Sequence, residues 1–260
     1  MVKPKISIIT VVRNAKSELE RTIENVVKLN YNNIEFIVVD GLSTDGTKEI
    51  IEKNSLNITR WISEADKGIY DAMNKGLEMA SGDYVWFINA GDEIYSPETL
   101  NYIFSGVENP SDIYYGETLI LSQDGKTKGL RGKKPPRKLT VRSFKYGMNI
   151  CHQSIIVRRK IAPKYDLSYR FAADIDWILE AVRKSRSSTN THQILSRFIE
   201  GGISSINRKK SLIERYNIMV KHYGKSSTIF YHLVILFRML KPKYRKVSGL
   251  LKSGELKGQF

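Results

Sequence analysis

Tyr84-Val85-Trp86-Phe87-Ile88 is an unbroken apolar run that stops at Asn89-Ala90-Gly91-Asp92. Five apolar residues closed by a turn read as a buried strand. Two earlier runs have the same form. One is Ile6-Ser7-Ile8-Ile9-Thr10; the other is Phe36-Ile37-Val38-Val39-Asp40, which closes on a carboxylate followed by Gly41 and Ser43. In an open α/β sheet, ligands bind outside the carboxyl ends of the strands. Asp40 and Asp92 therefore stand where a nucleotide base or ribose and a divalent metal would be held.

The segments between these strands have helical spacing. Ser17 to Leu29 carries Leu19, Ile23, Val26 and Val27 on one face, and Ser17 with Glu20 predicts a capping box. The turn from Gly41 to Gly46 leads into a helix over Thr47 to Lys53. Trp61 to Glu64 reads as a short strand, and Gly68 to Met79 as a helix ended by Ser81-Gly82. Pro97 to Phe104 is a helix with proline at its start, and Ile113 to Leu121 a strand. The alternation predicts an α/β fold with a mostly parallel central sheet flanked by helices. Further on, Ile150 to Val157 reads as a strand, Ala172 to Lys184 as a helix, and Arg197 to Glu200 as a last strand before Gly201-Gly202.

Composition sets the outer bounds. A chain of 260 residues is one large domain, or one domain with an extension. The lone Cys151 excludes an internal disulfide and has no partner for a zinc site, so a buried thiol is expected. Met1-Val2-Lys3-Pro4-Lys5 runs straight into a strand, so no signal peptide is expected, and synthesis in the cytosol follows. Residues 207–260 hold 13 Lys/Arg against two acids, Glu214 and Glu255, and carry most of the net charge of +15. Residues 125–145 hold nine Lys/Arg, no acid and Pro135-Pro136, and read as an irregular basic segment between two halves. Such charge implies an anionic partner: lipid, nucleic acid or an acidic polymer. Helices are expected from Lys209 onward. Within them Thr228 to Leu240 is apolar but, at 13 residues, too short to span a bilayer.

Four groups of residues suit chemistry, and each has a plainer alternative. Asp40 can accept from a pyrimidine N–H or a ribose hydroxyl, or merely cap the next turn. Asp92 offers the hard oxygen that Mg²⁺ on a diphosphate requires, with Gly91 leaving room beside it, or closes an ordinary turn. Asp66 and Lys67 precede a helix N-terminus, a natural phosphate site, or belong to a solvated polar helix face. Asp174 and Asp176 open the helix over 172–184, where either one deprotonates a hydroxyl or both stabilise the helix start. Two residues apart on a helix, they face different ways, so one base is expected.

Taken together the chain resembles the family 2 glycosyltransferases of the GT-A fold. The resemblance rests on Ile6 to Thr10 with Arg13-Asn14, on Val38-Val39-Asp40-Gly41 with Ser43, Asp45 and Thr47, and on Asp66 to Gly76. Ala80 to Tyr84, Phe87 to Asp92 and Ala173-Asp174 complete it, and it covers about residues 4–205. It looks closest to the bacterial branch that builds capsule, exopolysaccharide or O-antigen chains. The resemblance implies that residues 1–206 form a catalytic domain, with a nucleotide-sugar half over 1–120 and an acceptor half over 121–206, followed by a basic helical extension over 207–260. It implies that Thr10, Val12 and Asp40 line the nucleoside pocket, with Asp40 reading uracil. Gly41, Ser43 and Asp66 lie beside them, and Lys67 lies at the phosphates. Asn89, Ala90 and Gly91 contact the nucleotide sugar, and Asp92 holds Mn²⁺ or Mg²⁺. Asn89 and Gly91 stand where the family often has carboxylates. Asp174 matches the base, although Ala173 replaces the acid that often precedes it. His152 and Gln153, on the strand between metal motif and base, and Asp176 are read as acceptor or phosphate contacts.

The implied reaction is a single inverting displacement from a nucleotide-sugar donor, a UDP-sugar by preference, to a saccharide or lipid-linked saccharide hydroxyl. The basic segments would then meet the anionic inner face of the membrane. Phe230, Leu233, Val234, Phe237 and Leu240 would either enter lipid shallowly or pack on the domain. Three rivals remain. A nucleotidyltransferase lacks support because Val11-Val12-Arg13-Asn14 is not a glycine-rich basic loop. A nucleic-acid-binding protein lacks support because Tyr216, Tyr223 and Tyr244 are scattered, so no nucleic acid is expected. An inactive GT-A scaffold would fit Asn89 and Gly91 but not the retained Asp40, Asp92 and Asp174.

Overall fold

The structure is a computed structural model that describes residues 3–201, 207–238 and 244–245. Its chain order begins β1 (Ile6–Val12), α1 (Lys16–Val27), β2 (Ile34–Asp40), α2 (Thr47–Lys53), β3 (Arg60–Ser63), α3 (Ile69–Met79) and β4 (Tyr84–Phe87). Then come β5 (Glu93–Ile94), α4 (Thr99–Phe104), β6 (Ile113–Leu121), β7 (Thr127–Arg131), β8 (Ile155–Arg158), α5 (Ala173–Lys184) and β9 (Ser188–Ile199). The extension contributes α6 (Arg208–Tyr223), α7 (Lys225–Arg238) and the short β10 (Tyr244–Arg245). The sheet runs β10-β7-β6-β8-β4-β1-β2-β3, with β9 beside β5 and β6. Strands β3, β2, β1 and β4 are parallel neighbours; β8 then pairs antiparallel with both β4 and β6. This is the expected α/β architecture, a sheet flanked by helices, with C-terminal helices added.

Alternation along the strands builds two cores. Ile6, Ile8, Phe36, Val38, Tyr84 and Trp86 point to one face, under α1, α2 and α4. Ile9, Val11, Ile37, Val39, Val85 and Phe87 point to the other, under α3 and α5. Helix α1 seals its face with Leu19, Ile23 and Val26, each burial being worth roughly 1.5–3 kcal/mol. Two glycines let elements approach closely. A Cβ at Gly76 would collide with Ile9, on which α3 rests, and one at Gly82 would lie 2.7 Å from Ser7 Oγ and 2.8 Å from Lys5 O.

Several local expectations are corrected. Helix α1 starts at Lys16 with Ala15 as its N-cap and no capping side chain, so the Ser17–Glu20 capping box does not form. Asp45 does that work from the next loop: its Oδ2 accepts from Lys16 N (3.1 Å). Helix α4 begins two residues after Pro97. The segment 150–157 is not one strand. His152–Ser154 is a 3-10 turn, pinned by Ser154 N on Cys151 O (2.9 Å) and Trp86 Nε1 on Gln153 O (2.8 Å), and β8 starts only at Ile155. The basic segment 125–145 is not irregular throughout. It holds β7 and a 3-10 turn over Val141–Phe144, anchored by buried Leu130, Leu139 and Phe144.

Strand β9 starts nine residues before the expected Arg197, because its first half is polar and shows no apolar alternation. There Gly116 leaves room for the backbone of Gln193 where the β6–β9 register shifts. Cys151 is buried and accepts from Arg131 Nη1 (2.7 Å). The apolar stripe of the extension divides. Phe230 and Leu233 are exposed beside Ile229 and Leu236, and Val234 is half-buried. Tyr231 turns inward onto Tyr146 and Tyr223. Residues 202–206, the side chain of Phe237, and Leu240 lie outside what is described.

Candidate active site

The carboxyl ends of β1, β2 and β4 gather the first group of residues. Asp40 ends β2 fully buried, and its carboxylate accepts from Ser43 N (3.1 Å), Ser43 Oγ and Ser63 Oγ (2.6 Å). Thr10 is also fully buried, with its hydroxyl on Ile88 O (2.6 Å), and Val12 is packed in the core. All three are thus buried at the strand ends. They tie the strand ends together and hold the Ser43 turn, because a buried carboxylate takes the nearest donors.

The carboxylate left on the rim is Asp66. Its Oδ1 accepts from Gly68 N (2.8 Å), and its Oδ2 lies where a Cβ at Gly41 would stand. Gly41 is therefore required for Asp66 to close over the strand end. Lys67 is exposed at the start of α3, and its backbone N–H is capped by Asp71 (3.0 Å). Gly68 takes φ +123° there, a backbone angle only glycine adopts without strain.

A second group surrounds Asp174. This carboxylate faces Tyr70 Oη (3.4 Å) and His152 Nδ1 (3.8 Å) and is 26% exposed. The other edge of His152 receives Asn89 Nδ2 on Nε2 (3.3 Å). An amide N–H there makes Nε2 the acceptor, so the proton sits on Nδ1, toward Asp174. Burial pushes the Asp174 carboxyl up, but the His152 ring, Arg215 and the Ile175 N–H more than offset it, leaving it below the usual range. Beneath it, Tyr165 stacks between Tyr70 and Trp177, with ring centroids 5.4 and 5.3 Å away.

The next residue of the same turn reaches the other acid. Gln153 Nε2 donates to Asp92 Oδ2 (2.9 Å). Asp92 is buried, and desolvation pushes its pKa up to about 6. The turn His152–Ser154 therefore joins Asp174 on α5 to Asn89 and Asp92 after β4. Asp176 goes elsewhere: it is gripped by Lys221 Nζ (2.9 Å) and His222 Nε2 (2.7 Å) of α6. The two acids of α5 do face different ways.

This order of parts is matched by known proteins. The glycosyl transferase family 2 model covers residues 7–165. A PGL/p-HBAD biosynthesis glycosyltransferase of Mycobacterium tuberculosis is 30% identical over 226 residues, 83% of this chain and 85% of that protein. The chain belongs to glycosyl transferase family 2. Among solved structures, TarS 1-349 of S. aureus superposes with TM-score 0.67 at 17% identity, covering 91% of this chain and 72% of that one. The mannosyltransferase PcManGT from Pyrobaculum calidifontis, in complex with GDP-Man and Mn²⁺, gives 0.61 at 14% identity, covering 92% and 71%. At these identities both comparisons speak for the fold.

The glycosyltransferase also offers oxygen donors for a divalent ion. Asn89 Oδ1 is buried without a hydrogen-bond partner, and two residues on Gly91 takes φ +93°, with the Glu18 side chain 3.5 Å from where its Cβ would stand. Asp92, desolvated and bonded by Gln153, would be relieved by a cation. Hard oxygens from a carboxylate and an amide, completed by phosphate, fit Mg²⁺ or Mn²⁺. The cluster Asp176, Glu180 and His222 does not fit an ion. Lys221 already neutralises Asp176, and Arg183 Nη2 on His222 Nδ1 (2.9 Å) makes the Nε2 edge a donor. Tyr70, Tyr165 and the contact of Asn89 with His152 escaped sequence reasoning, because nothing in their spacing signals a meeting across 63 residues or more.

Proposed function

We propose that this glycosyltransferase moves a sugar from a nucleoside-diphosphate donor, a UDP-sugar by preference, to a hydroxyl of a saccharide or lipid-linked saccharide, with inversion. The observation that carries the reading is the single turn, His152–Ser154, that links Asp174 to Asn89 and Asp92. An acceptor hydroxyl beside Asp174 would give up its proton to a carboxylate that is ionised at neutral pH. His152 and Tyr70 orient that carboxylate. Lys67 and the N-terminus of α3 favour the diphosphate. Asn89 and Asp92 would hold Mn²⁺ or Mg²⁺, which supplies charge neutralisation for a departing diphosphate. With Asp40 occupied by Ser43 and Ser63, Asp66 and Gly41 are the residues read as meeting the nucleoside. Gln153 acts through Asp92.

TarS has been solved with UDP-GlcNAc, which supports a nucleotide-sugar donor. The mycobacterial relatives, described as PGL/p-HBAD biosynthesis glycosyltransferases, support sugar transfer. No helix among the described residues is long and apolar enough to cross a membrane. The exposed Ile229, Phe230, Leu233 and Leu236 on α7, within a strongly basic extension, support peripheral docking on the anionic inner face of the cell membrane. The deciding experiment is a screen of UDP-, GDP- and dTDP-sugars for Mn²⁺-dependent thermal shift and slow hydrolysis. A response to a UDP-sugar supports the reading; silence with every nucleotide at every metal concentration overturns it.

A further inference from the structure

Helix α5 carries Asp174 in its first turn, yet its N-cap residue is Ala172, which has no side chain to satisfy the helix start. The missing acceptor comes from 42 residues further along the chain. Glu214 Oε2 accepts from Ala172 N (3.0 Å) and Phe171 N (2.7 Å), and its Oε1 accepts from Arg170 N (2.9 Å). Three consecutive backbone N–H groups leading into the base are thus held by one carboxylate. Glu214 is one of only two acids among residues 207–260, where 13 are basic. Seven residues later, two turns along the same face of α6, Lys221 and its neighbour His222 hold Asp176, two residues beyond Asp174. Ile218, fully buried between these two grips, joins the core beneath α5.

We propose that Glu214 is a positioning residue for the transfer reaction: with the Lys221–His222 grip on Asp176, it sets the depth and direction at which Asp174 faces its acceptor. The proposal rests on the reading of Asp174 as base. It makes α6 a working part of the active site rather than an appended tail. A helix start held by charge-assisted hydrogen bonds cannot drift, and small displacements of a reacting group cost large factors in rate. The residues read as donor contacts lie at Gly41, at Asp66–Lys67 before α3 and at Asn89–Asp92 after β4, so donor binding should be indifferent to the latch.

The test compares Glu214→Gln, Glu214→Asp and Asp176→Asn with the parent 260-residue chain, and with Glu24→Gln as a surface-charge control. Glu214→Gln should lower kcat for transfer 10–100-fold, with donor KM and donor hydrolysis by water within twofold. It should raise the acid limb of the kcat profile, because Asp174 moves out of reach of His152 and Arg215. Backbone amides of residues 170–174 should exchange with deuterium at least tenfold faster. Glu214→Asp should recover part of kcat, and Asp176→Asn should repeat the kcat loss more weakly. A folded Glu214→Gln variant with kcat within twofold of the parent, or with unchanged exchange over 170–174, overturns the proposal. So does a loss of kcat and donor affinity in step with the folded fraction. If the parent transfers no sugar at all, the reading of the reaction fails, while the exchange measurement still decides whether Glu214 holds the base loop.

Discussion

Two carboxylates of similar sequence character are tuned in opposite directions. Asp174 is held below the ordinary range, so it is ionised throughout the neutral region. In the proposed reaction Asp174→Asn removes the proton acceptor but keeps the shape. It should retain nucleotide binding and lose at least about a hundredfold in transfer, which steady-state rates against a defined acceptor would read. Asp92 is pushed up to about 6 by burial. Its folded pKa lies above the unfolded value, so the native state binds the extra proton between about pH 4 and 6, and stability falls as pH rises through that window. Asp92→Asn should therefore be more stable than the parent at pH 7.5, by on the order of a few kcal/mol, and nearly equal to it at pH 4. The same variant should lose the Mn²⁺-dependent thermal shift. Urea titrations at the two pH values, with and without Mn²⁺, check both halves. Asp40 is the opposite lesson. Its position at a strand end was legible, but Ser63, 23 residues away, occupies it, and no local pattern announces that contact.

Helix α5, the segment after β4 and the 3-10 turn before β8 bring the acids together, and close approaches at Gly76 and Gly82 seat α3 and β4 beside them. Gly82 admits Ser7 and Lys5 at the entry to β4, where Gly82 N donates to Ser7 Oγ (2.9 Å) and Lys5 N donates to Asp83 Oδ2 (2.8 Å). A Cβ there would press on backbone as well as on Ser7, so Gly82→Ala should cost about 1–3 kcal/mol by overpacking and lower the unfolding midpoint. Gly41→Ala is different, because the colliding atom is the mobile end of Asp66. That variant should fold normally and raise the donor KM several-fold, a split that thermal melts and donor titrations would show together. The helices were readable from apolar spacing. The 3-10 turn at His152 was not, since 150–157, apolar at both ends around His152-Gln153-Ser154, reads as one strand until Trp86 and Ser196 claim Gln153 O and Ser154 Oγ.

Across the whole molecule, Glu35 shows how the sheet is locked at the end away from the site. Burial pushes its carboxyl up, but Ser7 Oγ, Ser81 N, Ser81 Oγ and Lys5 overcome this and bring it down to about 2. The stability it contributes is complete above about pH 4.5 and is lost as pH falls toward 2. Glu35→Gln should flatten acid unfolding over that window, measurable by far-UV circular dichroism. The basic extension predicts a second global property: Phe230→Ser with Leu233→Ser should weaken binding to anionic vesicles and leave turnover of a water-soluble acceptor unchanged. The α/β alternation over residues 1–121, with helices on both faces of the sheet, and the places of Asp92 after a strand and Asp174 at a helix start follow from local pattern, because apolar period and turn chemistry act between near neighbours; the order of strands in the sheet does not. Which acid stays open, which is buried, and which helix holds the base do not follow. Those depend on Ser63 reaching Asp40, Gln153 reaching Asp92 and Glu214 reaching residues 170–172, contacts that exist only once the sheet and the C-terminal helix have packed.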